Sequence, residues 1–171
     1  MPTYVTGLNA ETGQGERAVV HYTTGAQGFE IEIDLDTGKL EVVRAASAFD
    51  VGKAINPGLV KAQIEGGFVQ GFSSAVFEEM KLKEGVMQNP SFVDYRIATS
   101  ADVPSRHESI IVEVPQEDGP FGARGVGEHP MVPTIAALGN AIYDAVGVRL
   151  EGPPFSAEKI YLAMQDAGVV K

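Results

Sequence analysis

The chemistry available to this 171-residue chain concentrates in two places. The first is Gly122-Ala123-Arg124-Gly125-Val126-Gly127-Glu128-His129-Pro130. Its three glycines let the backbone turn tightly and approach another surface closely, and they deliver a carboxylate, Glu128, just ahead of Pro130 and an apolar stretch. One reading is that Glu128 simply favours the start of the helix that follows, worth about 0.3–1 kcal/mol. The other is a general base carried on a stiff turn into a pocket. The second place is Gln63, just before Gly66-Gly67 on an otherwise apolar helix face. Its amide is either solvated or offered, with two donors and an acceptor, to a ligand that the bare glycines admit.

Other motifs fall away on their surroundings. Gly13-Gln14-Gly15-Glu16-Arg17-Ala18 has the letters of a dinucleotide fingerprint, but a strand does not precede it and a helix does not follow. Gly52-Lys53 lacks the rest of a phosphate loop. Asp34 and Asp36 lack the Gly and Glu spacing of a calcium loop and read as turn residues. His21 reads as a strand residue and His107 as part of a polar loop. Neither pairs with His129 at metal-binding spacing, so no metal ligand is expected from the side chains. The chain has no Cys, which excludes a disulfide scaffold, a thiolate zinc site, a Cys nucleophile and a cluster of iron and sulfur held by this chain.

Thirteen Lys and Arg stand against 23 Asp and Glu, a net charge of −10. A nucleic-acid partner is therefore not expected, since phosphate binding needs clustered cations. Met131–Val148 is broken by Pro133, Asn140 and Asp144 and does not read as a membrane span. The first 15 residues carry neither a basic nor an apolar signal region and read as a loosely ordered lead-in, with the cytoplasm as the default location.

The elements that must position these residues are legible from pattern. Ala18–Thr23 is a short β-type run. Phe29, Ile31, Ile33 and Leu35 alternate with acidic residues across 28–35, the period of a strand with one wet face. Asp36-Thr37-Gly38-Lys39 is turn chemistry, and 40–49 completes a hairpin. Asn56-Pro57 starts a helix, with Ile64, Phe68, Phe72 and Val76 as its apolar stripe, Lys81 and Lys83 in its last turn and Gly85 ending it. Gly66, Gly67 and Gly71 inside that helix each cost about 1 kcal/mol against Ala, so something needs bare backbone there. A strand at 109–114, a helix from Pro130 to about Val146 and a short helix from Ser156 complete an α+β order.

Three separated blocks then carry a family likeness: Asp50-Val51-Gly52-Lys53-Ala54-Ile55-Asn56-Pro57, Gln63-Ile64-Glu65-Gly66-Gly67-Phe68-Val69-Gln70-Gly71 and Phe121-Gly122-Ala123-Arg124-Gly125-Val126-Gly127-Glu128. Together with Tyr22-Thr23-Thr24-Gly25-Ala26-Gln27, the chain resembles the C-terminal part of the molybdenum-cofactor subunit of the xanthine dehydrogenase and aldehyde oxidase family, the molybdenum hydroxylases. The resemblance covers nearly all of residues 1–171 and implies a single molybdopterin-binding subdomain, α+β, with a mixed sheet packed by a long Gly-containing helix and C-terminal helices. It implies hydroxylation of a carbon centre, of purine, N-heterocycle or aldehyde type, with oxygen from water. Glu128 matches the family's general base. Gln63 matches a glutamine that hydrogen-bonds the pyranopterin, beside Gly66 and Gly67. The metal is held by the cofactor's dithiolene sulfurs rather than by protein side chains.

The family's subunit is much longer than this chain. Alone, the chain is expected to be inactive and to self-associate through surface normally covered by the remaining molybdenum-subunit segment, with iron-sulfur clusters and FAD on other subunits or domains. The rival reading is a non-catalytic module that keeps the fold for assembly or self-association. The presence of both Glu128 and Gln63 leans against it.

Overall fold

Alternation of Phe29, Ile31 and Ile33 with Glu30 and Glu32 builds the first strand, β1 (Gly25–Ile33), in a computed structural model that describes residues 8–15 and 22–171. The chain reverses where Asp34 Oδ1 accepts the backbone N–H groups of Asp36 and Thr37, both at 2.9 Å, and Gly38 supplies a positive φ of 70°. It returns as β2 (Leu40–Asp50), antiparallel to β1, with a bulge that leaves Val43 out of the pairing.

Helix α1 (Pro57–Val76) follows, its Asn56 side chain accepting the N–H of Leu59 as the cap geometry requires. Next come β3 (Leu82–Lys83) and β4 (Val86–Met87), a small separate hairpin. Strand β5 (His107–Val112) then pairs in parallel with β2, which gives a mixed sheet in the order β1-β2-β5. Helices α2 (Thr134–Val146) and α3 (Ala157–Asp166, capped by Ser156) close the chain. The fold is α+β, as the order of elements predicts.

One face of the sheet is buried. Phe49, Val51 and Ile64 pack together, and Ala45 lies under Phe68 and Phe72, so the Ile64–Phe68–Phe72 stripe of α1 seats directly on β2. A third cluster joins Ala75 to Leu138 and Ile142 of α2, Phe155, and Ile160 and Met164 of α3.

Four expectations need correction. Helix α1 stops at Val76, so Lys81 and Lys83 lie in the β3–β4 hairpin, whose turn places Glu84 and Gly85 at φ 51° and 78°. Gly85 is a hairpin residue, not a helix terminator. Pro130 does not open α2: it sits in a three-residue 3-10 turn, His129–Met131, and α2 begins at Thr134. His107 starts β5 rather than occupying a loop. The expected run Ala18–Thr23 lies largely outside the described residues, as does His21, and Tyr22 and Thr23 belong to no strand. Of the lead-in, residues 8–15 form an exposed turn around the Asn9 side chain, which caps the N–H groups of Glu11 and Thr12. Among the described residues no helix is long and apolar enough to cross a membrane.

Candidate functional site

Opposite its buried stripe, α1 presents Leu59, Gln63, Gly66 and Gln70 to the outside. These positions are three and four residues apart and so share one face. Seven residues separate Gln63 from Gln70, about 10 Å along the helix axis. Gln63 makes no hydrogen bond to the described residues. A side chain started at Gly66 would meet nothing within 4 Å. At Gly66 the bare backbone is therefore exposed, not packed.

Gly67 and Gly71 are used differently. A Cβ at Gly67 would stand 2.9 Å from Pro130 Cβ, and one at Gly71 would stand 2.5 Å from Thr134 Oγ1 and 2.7 Å from the Met131 carbonyl oxygen. These two glycines let the His129–Met131 turn and the start of α2 press against α1. Gln27 of β1 fastens the same seam, its Nε2 donating to the Pro130 carbonyl at 2.7 Å and its Oε1 accepting from Thr134 Oγ1 at 2.7 Å.

Glu128, immediately before that turn, is thereby brought to the edge of the exposed α1 face. Its Oε1 accepts a hydrogen bond from Gln70 Nε2 at 3.0 Å. The expectation that Glu128 stands at a helix entrance does not hold. Only a short 3-10 turn follows it, and α2 begins six residues later. A helix dipole acts within about the first turn, so α2 gives this carboxylate no such support.

The loop that delivers Glu128 is pinned to the end of β2. Arg124 pairs with Asp50 at 3.3 Å and donates to the Tyr22 carbonyl at 3.1 Å. Asp50 Oδ1 also accepts from the backbone N–H groups of Gly52 and Val114. Gly52, at φ 67°, forms a bridge with Ala123 and comes so near the Gly122 carbonyl oxygen that any side chain there would collide with it. Phe121, at the loop's tip, takes φ 55° and is 90% exposed.

The two described histidines, His107 and His129, are packing residues. His107 stacks on Phe68 with ring centroids 4.0 Å apart, and its Nε2 lies 2.9 Å from Ser47 Oγ. Burial pushes its pKa below 6.5, a trend that nearby Glu65 opposes. His129 meets Phe49 edge-on at 5.2 Å, and burial lowers its pKa as well. Among the described residues no three His, Asp or Glu side chains are grouped to hold a metal ion.

Gln63 lines a shallow cleft of about 210 Å³ with Val51, Ile55, Leu59, Arg124 and Val126. A larger groove of about 930 Å³ lies between Lys39–Val42 and Phe155–Lys159 and contains none of Gln63, Gly66, Gly67 or Glu128. Gln63, Gly66, Gln70 and Glu128 lie along the open α1 face, and none of them lines the larger groove. Sequence reasoning missed Gln70. Its position two helical turns beyond Gln63 was the available signal, because that spacing returns to the same face.

Comparison with known proteins shows the family. Residues 2–104, which include Gln63, Gly66 and Gly67 but not Glu128, match the family described as Molybdopterin cofactor-binding domain. The chain is 32% identical over 148 residues to the xanthine dehydrogenase molybdenum-binding subunit of Escherichia coli O157:H7, covering 85% of this chain and 20% of that one. It is 33% identical over 173 residues to the aldehyde oxidoreductase of Megalodesulfovibrio gigas, covering 96% and 19%. Among solved structures, CO dehydrogenase from Oligotropha carboxidovorans superposes with a TM-score of 0.78 at 29% identity, over 86% of this chain and 19% of that chain. The aldehyde oxidoreductase from Desulfovibrio desulfuricans gives a TM-score of 0.76 at 34% identity, over 83% and 15%. The chain thus spans about a fifth of the length of the curated relatives it matches. By its fold, its matched residues and these relatives, the chain belongs to the molybdopterin cofactor-binding domain family of the xanthine dehydrogenase and aldehyde oxidase type.

Proposed function

We propose that the chain is the part of a molybdopterin-dependent hydroxylase that supplies the general base, Glu128, and one wall of the cofactor site, formed by Gln63, Gly66 and Gly67. The reading is carried by one observation: the carboxylate of Glu128 stands at the edge of the same exposed α1 face that carries Gln63, whose amide bonds no described residue, and the bare backbone of Gly66.

These residues fit a pyranopterin with its own metal ligands. Gln63 offers two donors and an acceptor to the polar edge of a pterin. Gly66 leaves room for close approach of a flat ring system, and Gly67 lets the Pro130 turn close so that Glu128 reaches this face. In this reading the metal is held by the cofactor's own dithiolene sulfurs, so no side chain of this chain is assigned to it. When bound, the cofactor would supply a molybdenum centre that takes up electrons as the substrate carbon gains oxygen from water. Glu128 would accept the proton that the attacking water-derived oxygen gives up, at the carboxylate oxygen that the Gln70 amide leaves free. The loop clamped by Arg124 and Asp50 would keep that carboxylate from swinging away.

The substrate class in this reading is a purine, N-heterocycle or aldehyde. Residues 1–171 act as one subdomain, in the cytoplasm, completed by the remaining molybdenum-subunit segment and by subunits or domains that bear iron-sulfur clusters and FAD. Alone, the chain is inactive and prone to self-association. The test is Glu128→Gln in the assembled enzyme. Turnover falls by about 10²–10⁴-fold, the usual range for loss of a general base, while molybdenum content per subunit stays constant. Near-normal turnover would remove Glu128 from the mechanism.

A further inference from the structure

Among the described residues, Gln70 is the one side chain that hydrogen-bonds the Glu128 carboxylate, with Nε2 donating to Oε1 at 3.0 Å. No other described residue hydrogen-bonds this carboxylate. It forms no ion pair with a described residue, and α2 starts too far along the chain for its dipole to act. Gln70 reaches Glu128 because of what flanks it. Gly67 and Gly71 let Pro130, Met131 and Thr134 lie against α1 on either side of the Gln70 turn, and Glu128 enters that seam directly ahead of His129. The amide bond is thus built on two backbones held in register by close contact.

We infer that Gln70 is a positioning residue that acts through Glu128, fixing which carboxylate oxygen points along the open α1 face and which is occupied by the amide. The inference rests on the reading of Glu128 as the base and adds the residue that aims it. An amide N–H donor leaves one oxygen, Oε2, free to accept a proton while Oε1 is held. Without the donor the carboxyl group rotates about its terminal torsion, which has broad wells. A reacting group misplaced by about 1 Å can cost about 100-fold in rate.

The experiment is a double-variant cycle in the assembled enzyme, using Gln70→Leu, Gln70→Glu, Glu128→Gln and Gln70→Leu combined with Glu128→Gln. Gln70→Leu lowers kcat about 10–100-fold with KM nearly unchanged. Gln70→Glu, of the same shape but without the donor, falls at least as far. On the Glu128→Gln background, Gln70→Leu costs nothing further, because the group it aims is already gone. A role confined to packing would reduce the two backgrounds equally. A readout independent of turnover accompanies this: in the ¹⁵N-labelled full chain, the Gln70 side-chain amide resonances shift on Glu128→Ala, while the Gln63 amide resonances do not. Equal losses on both backgrounds, or an unmoved Gln70 amide, overturn the role of Gln70 and leave the base reading intact. Near-normal turnover of Glu128→Gln overturns both.

Discussion

The seam between α1 and the turn before α2 predicts that one substitution made at two glycines of one helix has opposite signs. Gly66→Ala adds a methyl group where nothing lies within 4 Å, on an exposed helical surface. The gain in helix propensity is about 1 kcal/mol. Gly71→Ala gains the same propensity but sets its Cβ 2.7 Å from both the Met131 carbonyl oxygen and Thr134 Cβ. Carbonyl and helix backbone cannot swing aside as a flexible side chain would, so α2 or the 3-10 turn must shift. Overpacking of this kind costs about 1–3 kcal/mol. With two backbone-linked contacts to relieve, we take the upper half of that range, a net loss of about 1–2 kcal/mol after the propensity gain. The two variants therefore differ by about 2–3 kcal/mol. At about 2–4 °C per kcal/mol for a chain of this size, that is roughly 5–10 °C in Tm. Urea unfolding of the full chain followed by circular dichroism measures both, with unchanged m-values as the control. If Gly71→Ala is stabilised like Gly66→Ala, the close approach is wrong, and with it the account of how Glu128 is carried to α1.

Two further predictions concern stability. His107 and His129 have pKa values pushed below 6.5 by burial, so the unfolded chain binds more protons than the folded one as pH falls through 6.5. Stability is then full above that value and declines below it; urea midpoints at pH 7.5 and 5.5 should differ in that direction, and equal midpoints would contradict the burial of both rings. Asp50→Ala leaves Arg124, whose side chain is 19% exposed, without its partner and strips the acceptor from the Gly52 and Val114 N–H groups. Losing one member of a largely buried pair costs about 3–5 kcal/mol; the partial exposure sets the expectation at about 3 kcal/mol, and a loss under 1 kcal/mol in the same assay would show that Asp50 does not clamp the loop.

How legible these features were in the sequence depended on whether local chemistry decided them. The β1–β2 hairpin, the Asn56 cap and the Ser156 cap follow from alternation, turn residues and capping groups within a few positions, and the structure has them. The end of α1 did not follow. Lys81, Lys83 and Gly85 have the composition of a helix C-terminus, yet the chain leaves the helix at Phe77, whose ring packs edge-on against Phe72, and turns back through Glu84 and Gly85. His107 looked like a loop residue because its strand is specified by parallel pairing with a partner some 60 positions away, which leaves no local trace. In the candidate site, Glu128, Gln63, Gly66 and Gly67 were singled out by residue type and resemblance. What could not be read was the division of labour among the glycines: Gly66 opens onto space, whereas Gly67 and Gly71 are filled by a turn 60 residues downstream.

The central strand β2 joins its near neighbour β1 through a tight turn and its distant neighbour β5 across a helix and a second hairpin. These two events belong to different timescales. Hairpins form in about 1–10 μs, whereas pairings that close long stretches of chain slow folding towards milliseconds and beyond. The Gln27–Pro130 bond spans 103 positions and belongs to the slow class. The folding chain therefore has its hairpin, and locally its α1 helix, before it has a positioned Glu128. The exposed α1 face that carries Gln63 and Gly66 therefore exists early, while the carboxylate at its edge arrives only with the last long-range contacts.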